Sequence, residues 1–498
     1  MALLANLDPH LAVLVVLAPL IGALLVALLR LPAVSWPIAV VAGAASAAAA
    51  VALACKVATT GTVSYRLGGF APDLGIEYRV DAVNALVLLV VAGMALVTLI
   101  YARQSVAAEI DEGRRPWFYA TMLMATAGLA GLAITGDAFN AFVFLEISSL
   151  STYALIALGR DRRALLAAYQ YLIVGTIGAT FYVIGVGLIY LATGTLNLQL
   201  IIERLPVIAS PRALIAAEAF IITGIALKLA LFPLHAWLPN AYSYAPSAAT
   251  VLLASTATKV AVYLMARFLF GVFGFDGEHA PVSVGSVLML LSIAAMILAS
   301  AAAIFQRDAK RLLAFSSIGQ VGYITLGLSL VNPAGLTGAF LHLVNHAVMK
   351  GAAFMAIGAI VYRCGSAKIE DLAGIGRTMP ATATALTVAG LALVGVPGTS
   401  GFVSKWYLIL GALEDGKGIL ALVIVASSLI CVLYIGRMLE VVWFREPGRA
   451  ALAAAEAPLG MLLPLLLLAA LTIALGIDAT LPTRLAAAAA DMLLRSGP

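Results

Sequence analysis

Apolar runs of membrane-spanning length recur along the whole sequence, centred near residues 20, 46, 91, 125, 148, 177, 221, 258, 293, 320, 347, 397, 430 and 468. A bilayer core takes roughly 20 apolar residues in helical form and each run is roughly 18 to 28 long, so about fourteen transmembrane helices are expected. With 63% hydrophobic and 11% charged residues, no stretch is polar and long enough for a soluble catalytic domain. The ten-residue alternation of a membrane barrel is absent. The fold class is therefore an all-α polytopic membrane protein. The net charge of +5 resides in short loops, where it sets orientation and gives no reason to expect a nucleic-acid partner. Fifteen of the 29 Lys and Arg residues fall in loops on one side and eight on the other. The richer side is cytoplasmic, which points both termini outward from a bacterial inner membrane. The opening MALLANLDPHLAVLVVLAPL lacks a signal peptide's basic leader and reads as the start of the first span.

The remaining six cations, Lys228, Lys259, Arg267, Lys350, Lys405 and Arg437, lie within the runs. A lysine at the centre of a span costs about 3 kcal/mol on insertion scales, so each needs a partner or a job. Arg267 and Arg437 are near enough to an edge to snorkel, and Arg437 can also pair with Glu440 at i, i+3. Lys228 and Lys259 flank a stretch in which Pro233, Pro239 and Pro246 remove backbone donors, with His235 and Trp237 inside the interruption. Non-helical backbone at membrane depth survives only where protein buries it or water reaches it, so a broken seventh helix beside a lysine suggests a hydrated route.

Glu146, the one acid of the fifth run, lies about 12 Å in from its outer start, close to the midplane. Opposite charges at similar depth make an ion pair of Glu146 and Lys228 the natural reading. A pair that merely specifies packing would explain these two residues, though not the other lysines. In the eleventh run, HLVNHAVMKGAAF sets His342, His346 and Lys350 four residues apart, turned by only about 40° from one to the next, so they share one stripe. Histidine titrates near neutrality, as a proton carrier should. Satisfied structural histidines are the plainer alternative. Histidines at i, i+4 can also chelate, but HEXXH is absent and the next member is cationic, so no metal site is expected.

Cys55, Cys364 and Cys431 are far apart with no metal or disulfide spacing, and no cofactor is signalled. The run GVPGTSGFVSKWYL from Gly395 to Leu408 lacks the spacing of a phosphate loop and no strand precedes it; it reads as a second broken helix, the twelfth, carrying Lys405. Weak internal repetition supports this. ISSLSTYALIAL at Ile147 matches FSSIGQVGYITL at Phe315, and GLIYLATGTLNL at Gly187 parallels GAIVYRCGSAKI at Gly358, at offsets of 168 and 171 residues. An odd number of spans separates the copies, which predicts two inverted five-helix repeats with helices 7 and 12 as the broken pair. The expected division is 1–115 for helices 1 to 3, 116–272 for the first repeat, 283–445 for the second and 458–498 for helix 14 and its tail.

The segment GIALKLALFPLHAWLP, followed by YAPSAATVLLASTATKVAVYLMAR, resembles the antiporter-like membrane subunits shared by multisubunit Na+/H+ antiporters, respiratory complex I and membrane-bound hydrogenases. Its wording is most similar to the D-type subunits of the Mrp-type antiporters. Where that branch usually has Asp after the Leu-Pro, this chain has Asn240, so no carboxylate acts there. The resemblance implies the Glu146–Lys228 pair and places the histidine and lysine stripe on a central hydrophilic axis. It also implies a hetero-oligomeric complex of membrane subunits in the lipid bilayer, with H+ and Na+, or another monovalent cation, as the transported ions.

Chain order then gives a proton relay: Glu146 and Lys228, Lys259, then His346, His342 and Lys350, then Lys405. Approach or withdrawal of a carboxylate switches a lysine between holding and releasing its proton. Ser148, Ser149, Ser151, Thr256, Thr258, Ser316, Ser317 and Gln320 serve either as water-holding links or as ordinary interhelical hydrogen bonders. The function expected is a proton-translocating antiporter subunit, a transporter and not itself an enzyme. The alternative is a proton-pumping membrane subunit of a complex I-like or hydrogenase-like oxidoreductase whose redox centres sit on other chains. A membrane scaffold would leave the buried cations unexplained.

Overall fold

The computed structural model describes residues 8–207, 211–275 and 283–495. Among them, twelve helices are long and apolar enough to cross a membrane. Six come first: α1 (Leu11–Leu29), α2 (Pro32–Thr60), α3 (Ala82–Glu109), α4 (Arg115–Ile134), α5 (Ala138–Ala157) and α6 (Arg162–Thr193). The seventh and twelfth expected spans are the two that do not qualify: the helix of the seventh carries Arg212, Glu218 and Lys228, the twelfth is divided into two short helices, and both spans are broken. Helix α7 (Pro211–Leu229) stops where Ala230 takes φ 57°, and after Pro233 the chain resumes as α8 (Trp237–Tyr244). Such a break frees carbonyls, and the Trp237 indole donates to one of them, Leu227 O, at 3.0 Å.

The next span divides unexpectedly, into α9 (Ser247–Ser255) and α10 (Ala257–Ala266). Neither Pro nor Gly causes this. Thr256, at φ −127° and ψ −56°, sits between them, and the Ser255 and Thr256 hydroxyls donate back to Val251 O at 2.7 Å and Leu252 O at 2.6 Å. Hydroxyls that bond to the preceding turn bend and weaken helices. There follow α11 (Val284–Ala294), extended by a π stretch (Ala295–Ala299), then α12 (Ala309–Ser329) and α13 (Pro333–Cys364). The twelfth span is α14 (Pro380–Val394) and α15 (Ser400–Glu414), parted at Gly395 and Gly398, both of positive φ, with Pro397 between. Helices α16 (Gly418–Phe444), α17 (Leu459–Ile477) and α18 (Thr480–Leu494) complete the order.

Helix α13 is the axle of the molecule. It packs against α3, α9, α12, α14, α15, α17 and α18 and is buried along nearly all of its length. The connection between α2 and α3 holds an antiparallel hairpin (β1, Val63–Arg66; β2, Glu77–Val80; Val63 opposite Val80), and the expected tail after α17 is the helix α18, packed on α3 and α13.

Helices α6 and α7 meet at a small-residue seam. A Cβ added at Gly224 would lie 2.5 Å from Gly178 O and 2.7 Å from the Tyr182 amide nitrogen, whereas at Gly187 it would meet nothing within 4 Å. Overpacking a seam of this kind costs roughly 1–3 kcal/mol. Gly224→Ala should therefore lower the unfolding temperature in detergent while Gly187→Ala leaves it unchanged; equal melting of the two variants would disprove the seam.

Candidate functional site

Glu146 on α5 and Lys228 at the end of α7 face each other, with Lys228 Nζ 3.8 Å from Glu146 Oε1. Lys228 also donates to Ser149 Oγ at 2.7 Å and approaches the Tyr153 hydroxyl at 3.4 Å. Three i, i+3 and i+7 positions of α5 thus surround one ammonium. Gly175 on α6 makes the room, since a Cβ there would collide with the Tyr153 hydroxyl. Tyr153 meets Tyr171 edge-on, and Tyr171 stacks on Trp237 with centroids 3.8 Å apart, so the ion pair is tied by aromatic rings to the break after α7. A cavity of about 30 Å³ beside Lys228, Ser149 and Thr152 reaches Ala257 and Ala261 of α10. That is room for a water or two between the first lysine and the helix of the second.

Lys259 is fully buried and bonds to Ala254 O, with Thr258 Oγ1 at 3.4 Å. The interruption at Thr256 explains that contact: a broken turn leaves carbonyls exposed, and the ammonium takes one of them. On α13, Lys350 donates to Leu313 O at 2.8 Å. His346 is also fully buried, and among the described residues neither of its ring nitrogens has a hydrogen-bond partner. Its ring lies nearly parallel to that of His342, centroids 6.1 Å apart. Lys259 and Lys350 are within Coulombic reach of each other and of His346.

His342 is held at both ends, by Ser404 Oγ at Nδ1 and Gln320 Oε1 at Nε2, each at 2.8 Å. Lys405 donates to Leu393 O at 3.0 Å, Val394 O at 2.8 Å and Ser428 Oγ at 2.9 Å, and lies 4.5 Å above the Tyr323 ring. Leu393 and Val394 are the last residues of α14, so this lysine also occupies carbonyls that a break frees. The expected chain order needs one adjustment. His342, through Gln320, which shares the Leu393 carbonyl with Lys405, is the stripe member linked to the Lys405 cluster, and Lys350 lies two turns away along α13.

Arg267 differs from expectation, and for Arg437 the expected Glu440 pair is not made. Arg267 does not snorkel; it pairs with Asp81, the N-cap of α3, and with Asn84 Oδ1 at 2.6 Å. Arg437 bonds to Ile304 O, while Glu440 pairs with Arg445 at 3.1 Å. Asn240 accepts from Arg311 Nη1 at 2.6 Å and donates to Gln170 at 2.8 Å, a neutral link where the resembling branch has an acid. A cavity of about 1050 Å³ opens beside it, with Arg160, Arg163, Arg307, Lys310, Arg311 and Lys368 on its walls. These are residues of the basic-rich side. On its wall Glu109 accepts from the Ser247 amide at 2.9 Å and from Ser105 Oγ at 2.8 Å. Sequence reasoning passed over Glu109, Tyr153, Tyr323, Ser404 and Ser428. The type of each is ordinary at a helix end or in a span, and only the packing shows whom they serve. Among the described residues no group of three or more His, Cys, Asp and Glu is placed to hold a metal ion.

Residues 135–431 match the family described as NADH:quinone oxidoreductase/Mrp antiporter, transmembrane. The sequence is 40% identical over 487 residues to an NADH-quinone oxidoreductase subunit N of Desulforudis audaxviator, covering 94% of this chain and 96% of that one. It is 29% identical over 427 residues to the D-type subunit of a Na(+)/H(+) antiporter of Alkalihalophilus pseudofirmus, covering 86% and 85%. In structure it is similar to a chain of the Mrp complex of a Dietzia species, with a TM-score of 0.89, 27% identity and 98% of each chain covered.

Proposed function

The chain belongs to the NADH:quinone oxidoreductase/Mrp antiporter transmembrane family of antiporter-like, proton-translocating subunits, and from that premise we propose that it carries H+ along Glu146, Lys228, Lys259, Lys350, His346, His342 and Lys405, in exchange for Na+ or another monovalent cation moved by a larger assembly. One observation carries the reading. Lys259, Lys350 and Lys405 are buried with carbonyls and hydroxyls as partners, and among the described residues Lys228 is the only one of the four with a carboxylate within reach. A fixed structural cation inside a membrane is expected to be paired off. A cation solvated by neutral dipoles can lose its proton without stranding a buried negative charge.

The two broken spans support the plan of inverted repeats over 116–272 and 283–445, each break presenting free carbonyls to a lysine. Other membrane subunits are its partners. Glu146 lies on the row of α5 that turns Phe139, Val143 and Leu150 outward. A carboxylate at that depth does not face lipid tails, which supports a partner subunit on this face. The basic walls of the wide cavity support a cytoplasmic position for that side, with both termini outside.

A second reading, a redox-driven proton pump, is favoured by the 40% identical relative. The two differ in driving force. In everted vesicles containing the assembly and a preset ΔpH, added Na+ should dissipate the gradient without any electron donor, and Glu146→Gln should suppress that response. Proton movement that needs an electron donor and ignores Na+ would select the redox reading.

A further inference from the structure

His342 and His346 are stacked neighbours on one helix face, yet their surroundings differ completely. Among the described residues His346 bonds to nothing, while both nitrogens of His342 are engaged. The network around His342 fixes its protonation. Leu393 O can only accept, so the Gln320 atom facing it at 3.3 Å is the amide nitrogen, Nε2. That turns Gln320 Oε1 toward His342. An amide oxygen also only accepts, so His342 Nε2 carries a hydrogen, and in the neutral ring Nδ1 is the bare nitrogen. Ser404 completes the arrangement. Its hydroxyl lies 2.8 Å from Nδ1 and 3.1 Å from Gly401 O. It can donate to Nδ1 when the ring is neutral, or turn to Gly401 O and accept from Nδ1–H when the ring is charged.

We propose that Gln320 is a positioning residue that makes His342 a one-ended proton site, loaded and unloaded only at Nδ1 through Ser404, and that it closes the direct way from Nε2 to Lys405. The proposal rests on the relay reading above. In the loading step a proton arrives at Ser404 Oγ and the hydroxyl's own proton moves to Nδ1, giving an imidazolium with hydrogen on both nitrogens; unloading reverses it. The other end is shut. To pass a proton onward, the Gln320 amide would have to take one on oxygen and shed one from nitrogen as an imidic acid, a step that a hydroxyl or carboxylic acid avoids. The Leu393 carbonyl beyond it, shared with Lys405 Nζ at 3.0 Å, cannot relay a proton at all. Only movement of Gln320 connects His342 Nε2 to Lys405, so the amide is a stop between the Nε2 end of the histidine and that lysine.

The test uses the assembled complex in membranes, 15N-labelled at histidine, with the His342 signals identified by their loss in His342→Gln. The parent should show Nε2 protonated and Nδ1 bare, and Gln320→Met, which keeps size but cannot accept strongly, should lose that preference. In vesicles, Gln320→Glu, whose carboxyl can both give and take a proton, should raise passive proton leak without Na+ by about tenfold. A parent ring protonated at Nδ1, a Gln320→Met ring with unchanged tautomer, or a Gln320→Glu leak equal to the parent's would each overturn the proposal. Failure of the relay reading looks different: His342→Gln would then exchange ions at the parental rate, whatever the tautomer.

Discussion

Lys259→Ala is expected to abolish ion-coupled proton movement, a loss on the order of 10²-fold or more if the amine transfers a proton in every turnover, while leaving the complex assembled. The two halves of that expectation have separate physical grounds. Lys259 is fully buried, and its partners are Ala254 O and Thr258 Oγ1, with no carboxylate in reach among the described residues. Truncation therefore strands no opposite charge, the circumstance that makes breaking a buried pair costly, and it removes the desolvation penalty of the ammonium. What remains is an unpartnered carbonyl, worth roughly 1–3 kcal/mol, at a turn that is already broken. The transport half depends on position, because Lys259 stands between the Lys228 cavity and the His346 ring. Equal yields of assembled complex from parent and variant, with exchange lost only in the variant, is the expected pattern. Near-parental exchange by Lys259→Ala would take Lys259 out of the pathway.

Much of this arrangement was legible in the sequence because membrane burial makes certain residues improbable. A lysine or glutamate in an apolar run has to be explained, so Glu146, Lys228, Lys259, Lys350 and Lys405 announce themselves. Proline and glycine likewise mark the breaks at 230–236 and 395–399, and the spacing of His342, His346 and Lys350 follows from helical geometry. The interruption at Thr256 was not legible. It arises from hydroxyls bonding back onto their own turn, which most serines and threonines in spans do without breaking anything. Long-range pairing was hidden too: Arg267 looked like an edge residue because its partner, Asp81, lies 186 positions earlier in another helix's N-cap. Gln320 and Ser404 were the hardest to read. An amide or hydroxyl in an apolar helix is common, and only the shared carbonyl of Leu393 reveals what Gln320 does.

The breaks and the lysines belong together. Lys259 takes a carbonyl beside the interruption at Thr256, and Lys405 takes two at the end of α14. Lys228 sits one residue before the end of α7, where the Trp237 indole bonds to the Leu227 carbonyl. Helix C-termini carry partial negative charge, so a break offers a cation stabilisation that an unbroken span denies it. The same offer is reversible. When such a lysine gives up its proton, the carbonyl it leaves can be taken by water or by a neighbouring hydroxyl such as Ser428 or Thr258, without a buried carboxylate being exposed.

His346→Ala and Lys405→Ala should each cut proton flux by on the order of 10²-fold, and the double variant should be little worse than either single change. The argument is one of series connection. His346 stacks on His342, and His342 is separated from Lys405 only by Gln320 and the Leu393 carbonyl they share, so a proton bound for Lys405 passes the stripe and crosses when Gln320 moves aside. Breaking a wire twice costs about as much as breaking it once, whereas independent contributions would multiply. Gating makes the distinction measurable. A proton crossing 100 mV exchanges about 2.3 kcal/mol with the membrane potential, so a continuous open wire would discharge the gradient in the parent itself, and the parent should instead hold ΔpH until Na+ is added. The measurement is a two-by-two set of variants in vesicles at equal complex density, scored as the logarithm of the initial rate of ΔpH-driven exchange. A double variant that loses the sum of the two single losses in log rate would mean that His346 and Lys405 act on separate paths, and the single relay through the histidine stripe would fall.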